Sequence, residues 1–175
     1  MSTSSTRRLT AEPLAGRWAV APEESSAAFE VRDKLVTTVH GTMPVLGGGA
    51  LVTDEGALSG AWVELSVADI DTGNAHRDKD LRAPRFLDAS GHPTVRVEVD
   101  RANATDTSWT ATAVLSARGQ RAPLDITVEQ VAGTPTEVRL QVTGRLDRSP
   151  LGIKAPTFII GRFVDVVVDL TVRRS

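Results

Sequence analysis

The residues best placed to do chemistry fall in one short stretch. Asp69, Asp71, His76, Asp78 and Asp80 bring five side chains able to hold a cation or move a proton within twelve residues of one another. His76 with Asp78 or Asp80 would serve as acid and base if the pair came within hydrogen-bond reach in surroundings that shift its pKa. Arg77, Lys79 and Arg82 are interleaved with these carboxylates and offset their charge. The glycine and closing glutamate of a calcium-binding loop are missing, and His40, His76 and His92 match no zinc-binding spacing. The stretch therefore reads as a salt-bridged, solvated segment, with no metal site and no catalytic residue expected.

Other chemistries lack their residues. With no cysteine, thiolate nucleophiles, disulfides, zinc ribbons and cysteine-held clusters are excluded. Ser25, Ser26, Ser66, Ser90 and Ser116 stand in no Gly-x-Ser-x-Gly elbow. Gly47-Gly48-Gly49 is followed by neither a Lys-Ser/Thr pair nor a helix signal, so it reads as a flexible connection rather than a phosphate loop. No strand–helix–strand alternation offers a dinucleotide site, and no cofactor is expected. Twenty basic against 22 acidic residues leave a net charge of −2, which removes the electrostatic footprint of a nucleic-acid binder. Seven aromatics (four Phe, three Trp, no Tyr) are too few for base stacking.

The elements that must position any site are strands. Valine occurs 21 times and threonine 19 times among 175 residues, a composition that suits pleated, half-buried backbone. Apolar residues alternate with polar ones from Ala61 to Val67, Val95 to Val99, Leu124 to Val128 and Val138 to Val142. The most regular run puts Val164, Val166, Val168, Leu170 and Val172 on one face. Turn-forming residues at Gly47–Gly49, Asp54-Glu55-Gly56, Arg118-Gly119-Gln120 and Ala132–Pro135 separate the runs, and such short connections imply antiparallel pairing. Eight or more strands of this kind in one domain predict an all-β barrel or sandwich.

One segment breaks the alternation. Asp71, Thr72 or Asn74 could cap a short helix over 75–82, and Pro84 would stop it. An irregular loop carrying Phe86 and Leu87 should follow. Residues 1–15 read as a disordered polar tail and 16–175 as a single domain. Arg7-Arg8 is not followed by the apolar stretch of an export signal, so a cytoplasmic location is expected. No run of about 18 apolar residues predicts a transmembrane helix. Small inward residues on the run Trp109, Ala111, Ala113, Leu115, Ala117 leave volume in the interior. An eight-stranded barrel can be packed solid or hold one small ligand, and composition leaves both readings open.

Several segments, in order, resemble the YceI-like, or polyisoprenoid-binding, family. They are Trp18 to Arg32 with Val39-His40-Gly41; Asp69-Ile-Asp-Thr-Gly-Asn74 with Arg77-Asp78, Asp80-Leu-Arg82, Phe86-Leu-Asp88 and His92-Pro93; Leu115-Ser-Ala-Arg-Gly119 with Pro123; and Gly144-Arg-Leu-Asp-Arg-Ser-Pro-Leu-Gly-Ile153 with Val164-Asp-Val-Val-Val168. Together they cover roughly residues 16–173. Glu24, Asp33 and Asp80 stand where members of this family often carry histidine, and Met43 where an aromatic is usual. The resemblance implies an extended, lipocalin-like antiparallel β-barrel with a short helical insertion. Its hydrophobic cavity would hold a polyisoprenoid or another long-chain lipid. Many members are bacterial, dimeric and exported, so a homodimer is an expectation drawn from it.

On that reading the protein is a non-enzymatic lipid-binding barrel. Phe29, Val31, Val63, Leu65, Leu81, Phe86, Val97, Ala111, Ala113, Leu115 and Phe163 are the expected cavity lining. Arg77, Arg82 and Arg148 are the candidates for a polar or phosphate headgroup, since the guanidinium fork matches phosphate oxygens. The alternatives are a barrel enzyme built on His76 with Asp78 or Asp80, and a packed, ligand-free interaction module. Cavity volume separates them.

Overall fold

The alternation of Val164 to Val172 decides the architecture, because every residue on that face must find cover. In the computed structural model, which describes residues 14–32, 38–55, 57–104, 108–153 and 161–175, this run is the last strand. We label the strands in chain order β1 (Gly16–Val20), β2 (Ser26–Arg32), β3 (Thr38–Met43), β4 (Val45–Val52) and β5 (Leu58–Ser66). After the helix α1 (Ala75–Arg82) come β6 (Thr94–Val99), β7 (Asn103–Ala104), β8 (Ser108–Ala117), β9 (Gln120–Gly133), β10 (Glu137–Asp147) and β11 (Phe163–Arg174).

All the ladders are antiparallel, and they close. The sequence of neighbours β1-β4-β5-β6-β8-β9-β10-β11 returns to β1 through Trp18↔Arg174 and Val20↔Val172. This is an eight-stranded barrel, one of the two architectures that the alternation and short turns allow. Following the ladders from Val164 through Leu146, Leu124 and Ala113, and on from Val99 through Ala61, Ala50 and Trp18, leads back to β11 at Arg174. That stagger of about ten residues sets the strand tilt and the bore together. Three of the inward residues on this path, Ala50, Ala61 and Ala113, are alanines, so the wall is thin there.

Strands β2 and β3 extend the barrel beyond the closed part. A short 3-10 turn at Pro22–Glu24 separates β1 from β2, and both pair with β11. Strand β3 pairs with β2 and otherwise makes a single bridge, Thr42↔Asp71. Gly41 sits opposite Phe29 in that ladder, and a Cβ on it would fall 2.2 Å from the ring. Gly41→Val should therefore displace Phe29 or fail to pair. We expect overpacking of about 1–3 kcal/mol, read as a lowered melting temperature.

The turn between β8 and β9 follows the sequence reading, with Arg118 and Gly119 both at positive φ (45° and 76°). The glycine run does not. Gly47-Gly48-Gly49 is no flexible connection but the middle of β4. A Cβ on Gly49 would come 3.3 Å from the indole nitrogen of Trp62 on β5. The glycines let that ring lie on the outer face of the sheet, with the Arg96 guanidinium 4.5 Å from its centre on top. Arg96 is itself held by Glu64 and Glu98. Glycine here makes room for a large neighbour and does not mark a turn.

Helix α1 has the expected bounds, and of the three candidate caps Asn74 is the one used. Its side chain accepts a hydrogen bond from the Arg77 N–H at 3.0 Å. Leu14 and Ala15, placed by sequence in the tail, are tied down. The Leu14 carbonyl accepts from Trp18 Nε1 at 2.7 Å, and Arg174, stacked on the Trp18 ring, donates to the Ala15 carbonyl. The rest of the tail expectation lies outside the described residues.

Candidate functional site: an apolar tunnel

The inward faces do not meet. They enclose a cavity of about 420 Å³ that runs along the barrel, from Leu14, Leu58 and Trp109 at one end to Leu81, Phe86 and Ile153 at the other. Residues such as Val142, Val164, Val166 and Val168 face inward yet are only half-buried, because they border space rather than neighbours. Among the described residues every lining side chain but one is apolar. The volume falls in the range of small-molecule sites.

The exception is Arg148. It follows β10 directly and is 6% exposed. Its Nε donates to the Gly161 carbonyl at 2.9 Å and its Nη1 to the Ile153 carbonyl at 2.8 Å. Burial pushes its pKa below the ordinary arginine value, an effect that neighbouring Asp147 partly offsets. Asp147 itself is held well below the usual carboxylate range by Arg162 and Ser149. The tunnel thus carries a cation at the end where β10 gives way to β11.

Of the eleven residues that sequence places in the cavity, Phe29, Val31, Val63, Leu65, Leu81, Phe86, Val97, Ala111 and Leu115 line it. Two do not. Ala113 points inward but is 0% exposed, its methyl too short to reach the bore past larger neighbours such as its ladder partner Leu124. Phe163 lies on the outer wall, 50% exposed, between Arg145 and Arg162. It has the opposite parity to Val164, so the alternation of β11 already placed it outside. Val164, Val166 and Val168 are the lining residues that this same alternation would have supplied. Leu14 and Ile153 carried no such periodic signal.

Two of the three headgroup arginines are elsewhere. Arg77 donates to the Thr72 hydroxyl and carbonyl at 3.0 and 3.2 Å, and Arg82 donates to the Ala68 carbonyl at 3.2 Å. Both tie the insertion together and neither lines the tunnel. Spacing cannot distinguish an arginine that serves backbone carbonyls from one that faces a cavity.

The acidic stretch disperses. Asp69 accepts from Ser66, Asp71 from the Gly73 N–H, and Asp78 from the N–H and hydroxyl of Thr72. His76 and Asp80 are 3.6 Å apart, with side chains 88% and 42% exposed. That is too long for a hydrogen bond and too wet for a tuned acid–base pair.

The Thr72 bonds hold the buried Asp78 carboxyl below its ordinary value. Its contribution is complete above the unfolded value of about 3.9 and is lost as pH falls through the lower folded value. Residues 71–93 should therefore loosen below about pH 4, before the strands do. Amide NMR signals lost first from this segment on acidification, and equal loss already at neutral pH in Asp78→Ala, are the expected observations.

The sequence profile of the YceI-like domain matches residues 18–172. Among solved structures, a polyisoprenoid-binding domain from Saccharophagus degradans, implicated in plant cell wall breakdown, superposes with a TM-score of 0.74. It is 14% identical, over 90% of this chain and 98% of its own. BcnA from Burkholderia cenocepacia gives 0.74 at 14% identity, over 87% and 98%. The YCEI protein of Campylobacter jejuni gives 0.67 at 16%, over 80% and 87%. At such identities the likeness concerns the fold. Curated protein sequences give no match. With the profile spanning nearly every strand of the closed barrel, the chain belongs to the YceI-like domain family.

Proposed function

We propose that the protein binds and carries a long-chain amphipathic lipid of the polyisoprenoid type, without catalysing its conversion. The observation that carries this reading is the tunnel itself: long, apolar throughout, and furnished with one buried arginine near an end. A hydrocarbon chain gains about 25 cal/mol for each Å² withdrawn from water, and such a bore offers it that cover along its length. Arg148 suits a polar or phosphate head at one end of the chain. The relative from Saccharophagus degradans, described as polyisoprenoid-binding, supports the same ligand class.

The exposed, loosely spaced His76–Asp80 pair supports no acid–base role, and the unfilled interior argues against a packed interaction module. Native mass spectrometry of gently purified protein, followed by solvent extraction, tests the proposal. An adduct that extracts as a prenyl or other long-chain lipid is expected, and the same spectrum reports monomer or dimer. Protein that carries no lipid and takes up no prenyl, quinone or fatty-chain probe would overturn it.

A further inference from the structure

The barrel wall is incomplete on one side. Strand β5 ends at Ser66, and β3, which continues the line of β4 past Pro44, has no strand on its outer edge among the described residues. The segment between β5 and β6 fills the gap. It begins with the Thr42↔Asp71 bridge, made of two backbone bonds of 2.8 and 2.9 Å, and carries α1 and the loop after it. Ile70, Leu81, Phe86 and Leu87 of this segment face the tunnel. The apolar grip of the helix itself is slight, since the buried residue on α1 is Asp78. Val67 and Ile70 root the segment in the core, whereas α1 is held mainly by polar ties, and an element of that kind belongs to the low-stability end of a fold.

A tie reaches it from across the barrel end. Arg118, in the β8–β9 turn, donates to the Pro84 carbonyl just after α1 at 3.3 Å. The same guanidinium donates to the Gly152 carbonyl at 2.6 Å and the Leu151 carbonyl at 3.5 Å. One side chain thus clamps the insertion to the turn and to the connection that carries Arg148. Its backbone is at φ 45°, a left-handed position in a two-residue turn that favours Asn, Asp or Gly. A long side chain kept there against that preference points to a role for the side chain.

We propose that residues 71–93 form a lid at the end of the tunnel that Leu81 and Phe86 line, that Arg118 is its latch, and that the ligand chain passes between β3 and the insertion. This inference rests on the lipid-binding reading for its purpose but not for its mechanics. A chain admitted there need not be threaded past the Trp18–Arg174 stack at the far end.

The absence of native cysteines gives a clean test. Thr42 and Asp71 form a hydrogen-bonded antiparallel pair, whose Cα separation of about 5.5 Å suits a disulfide. In a Thr42→Cys/Asp71→Cys variant, the oxidised form should take up and release dansyl-labelled geranylgeraniol about tenfold more slowly than the reduced form, with similar affinity. Arg118→Ala should exchange the probe about tenfold faster than the parent. Equal rates in the oxidised and reduced forms would overturn this path.

Hydrogen exchange reads the lid without any ligand. Amides of 75–87 should exchange well ahead of those in β8–β10, and faster again in Arg118→Ala. Protection of the insertion as strong as that of the central strands would overturn the lid even where the probe binds. Failure of the probe to bind any variant, with the insertion still opening first and faster in Arg118→Ala, would remove the lipid reading and leave the lid standing.

Discussion

Ala111→Trp should keep the melting temperature of the parent protein and lose the binding of a prenyl probe, whereas Ala113→Trp should do the reverse. Both alanines are on the inward face of β8, two residues apart. Ala111 borders the tunnel and Ala113 is fully enclosed. An indole at 111 projects into empty space, buries apolar surface and fills the volume the ligand needs. An indole at 113 must first displace the larger side chains that enclose the methyl, and overpacking of this kind costs about 1–3 kcal/mol, occasionally more. For a chain of this size each kcal/mol lowers the melting temperature by roughly 2–4 °C. Thermal melts and fluorescence titration with dansyl-labelled geranylgeraniol read both effects. Destabilisation of equal size in both variants would mean that the bore is packed in solution. Full stability with undiminished binding in Ala111→Trp would place the ligand elsewhere.

Replacing Arg148 by methionine should discriminate between lipids rather than abolish binding. A hydrogen bond to a charged group is worth about 1.5–3 kcal/mol, so the affinity for geranylgeranyl phosphate should fall by roughly ten- to a hundredfold. The affinity for geranylgeraniol should barely change, since the apolar bore is untouched. Arg148→Lys, with a point charge in place of a fork, should fall between. Arg148→Met loses the bonds to the Gly161 and Ile153 carbonyls, and the single ammonium of Arg148→Lys replaces them only in part. An unsatisfied buried acceptor costs about 1–3 kcal/mol, so some loss of stability is expected throughout. The ratio of the two affinities is therefore the informative quantity. Parallel loss for both lipids would make Arg148 a structural tie only.

Much of this was legible because strands declare their faces locally. The alternation in β11 put five aliphatic residues on one side, and the barrel turned that side inward. Asn74 and Pro84 bounded α1 because capping and helix termination act over a few residues. What escaped the sequence depended on partners remote in the chain. The glycines of β4 resembled a loop until Trp62, on the next strand, covered them. Arg77, Arg82 and Arg148 all donate to backbone carbonyls, and only the fold shows that Arg148 alone among the three lines the bore. Phe163 differs from the expectation for another reason: it has the opposite parity to Val164, and parity decides on a pleated sheet.

The pairing of Trp18 with Arg174 joins the first strand of the barrel to the last. Strands β8 to β10 are successive hairpins that can form from local contacts, and β11 pairs with β10 next in the chain, but the seam brings together two ends of the chain and carries the full loop-closure entropy. The valine face of β11 therefore spends the early part of folding without a roof, as an open, apolar sheet surface of the kind that associates with other chains. The binding surface and the aggregation hazard are the same residues at different times. On the proposed function, a hydrocarbon chain that binds only the sealed barrel would draw the folding equilibrium toward closure, so the ligand would double as a folding aid.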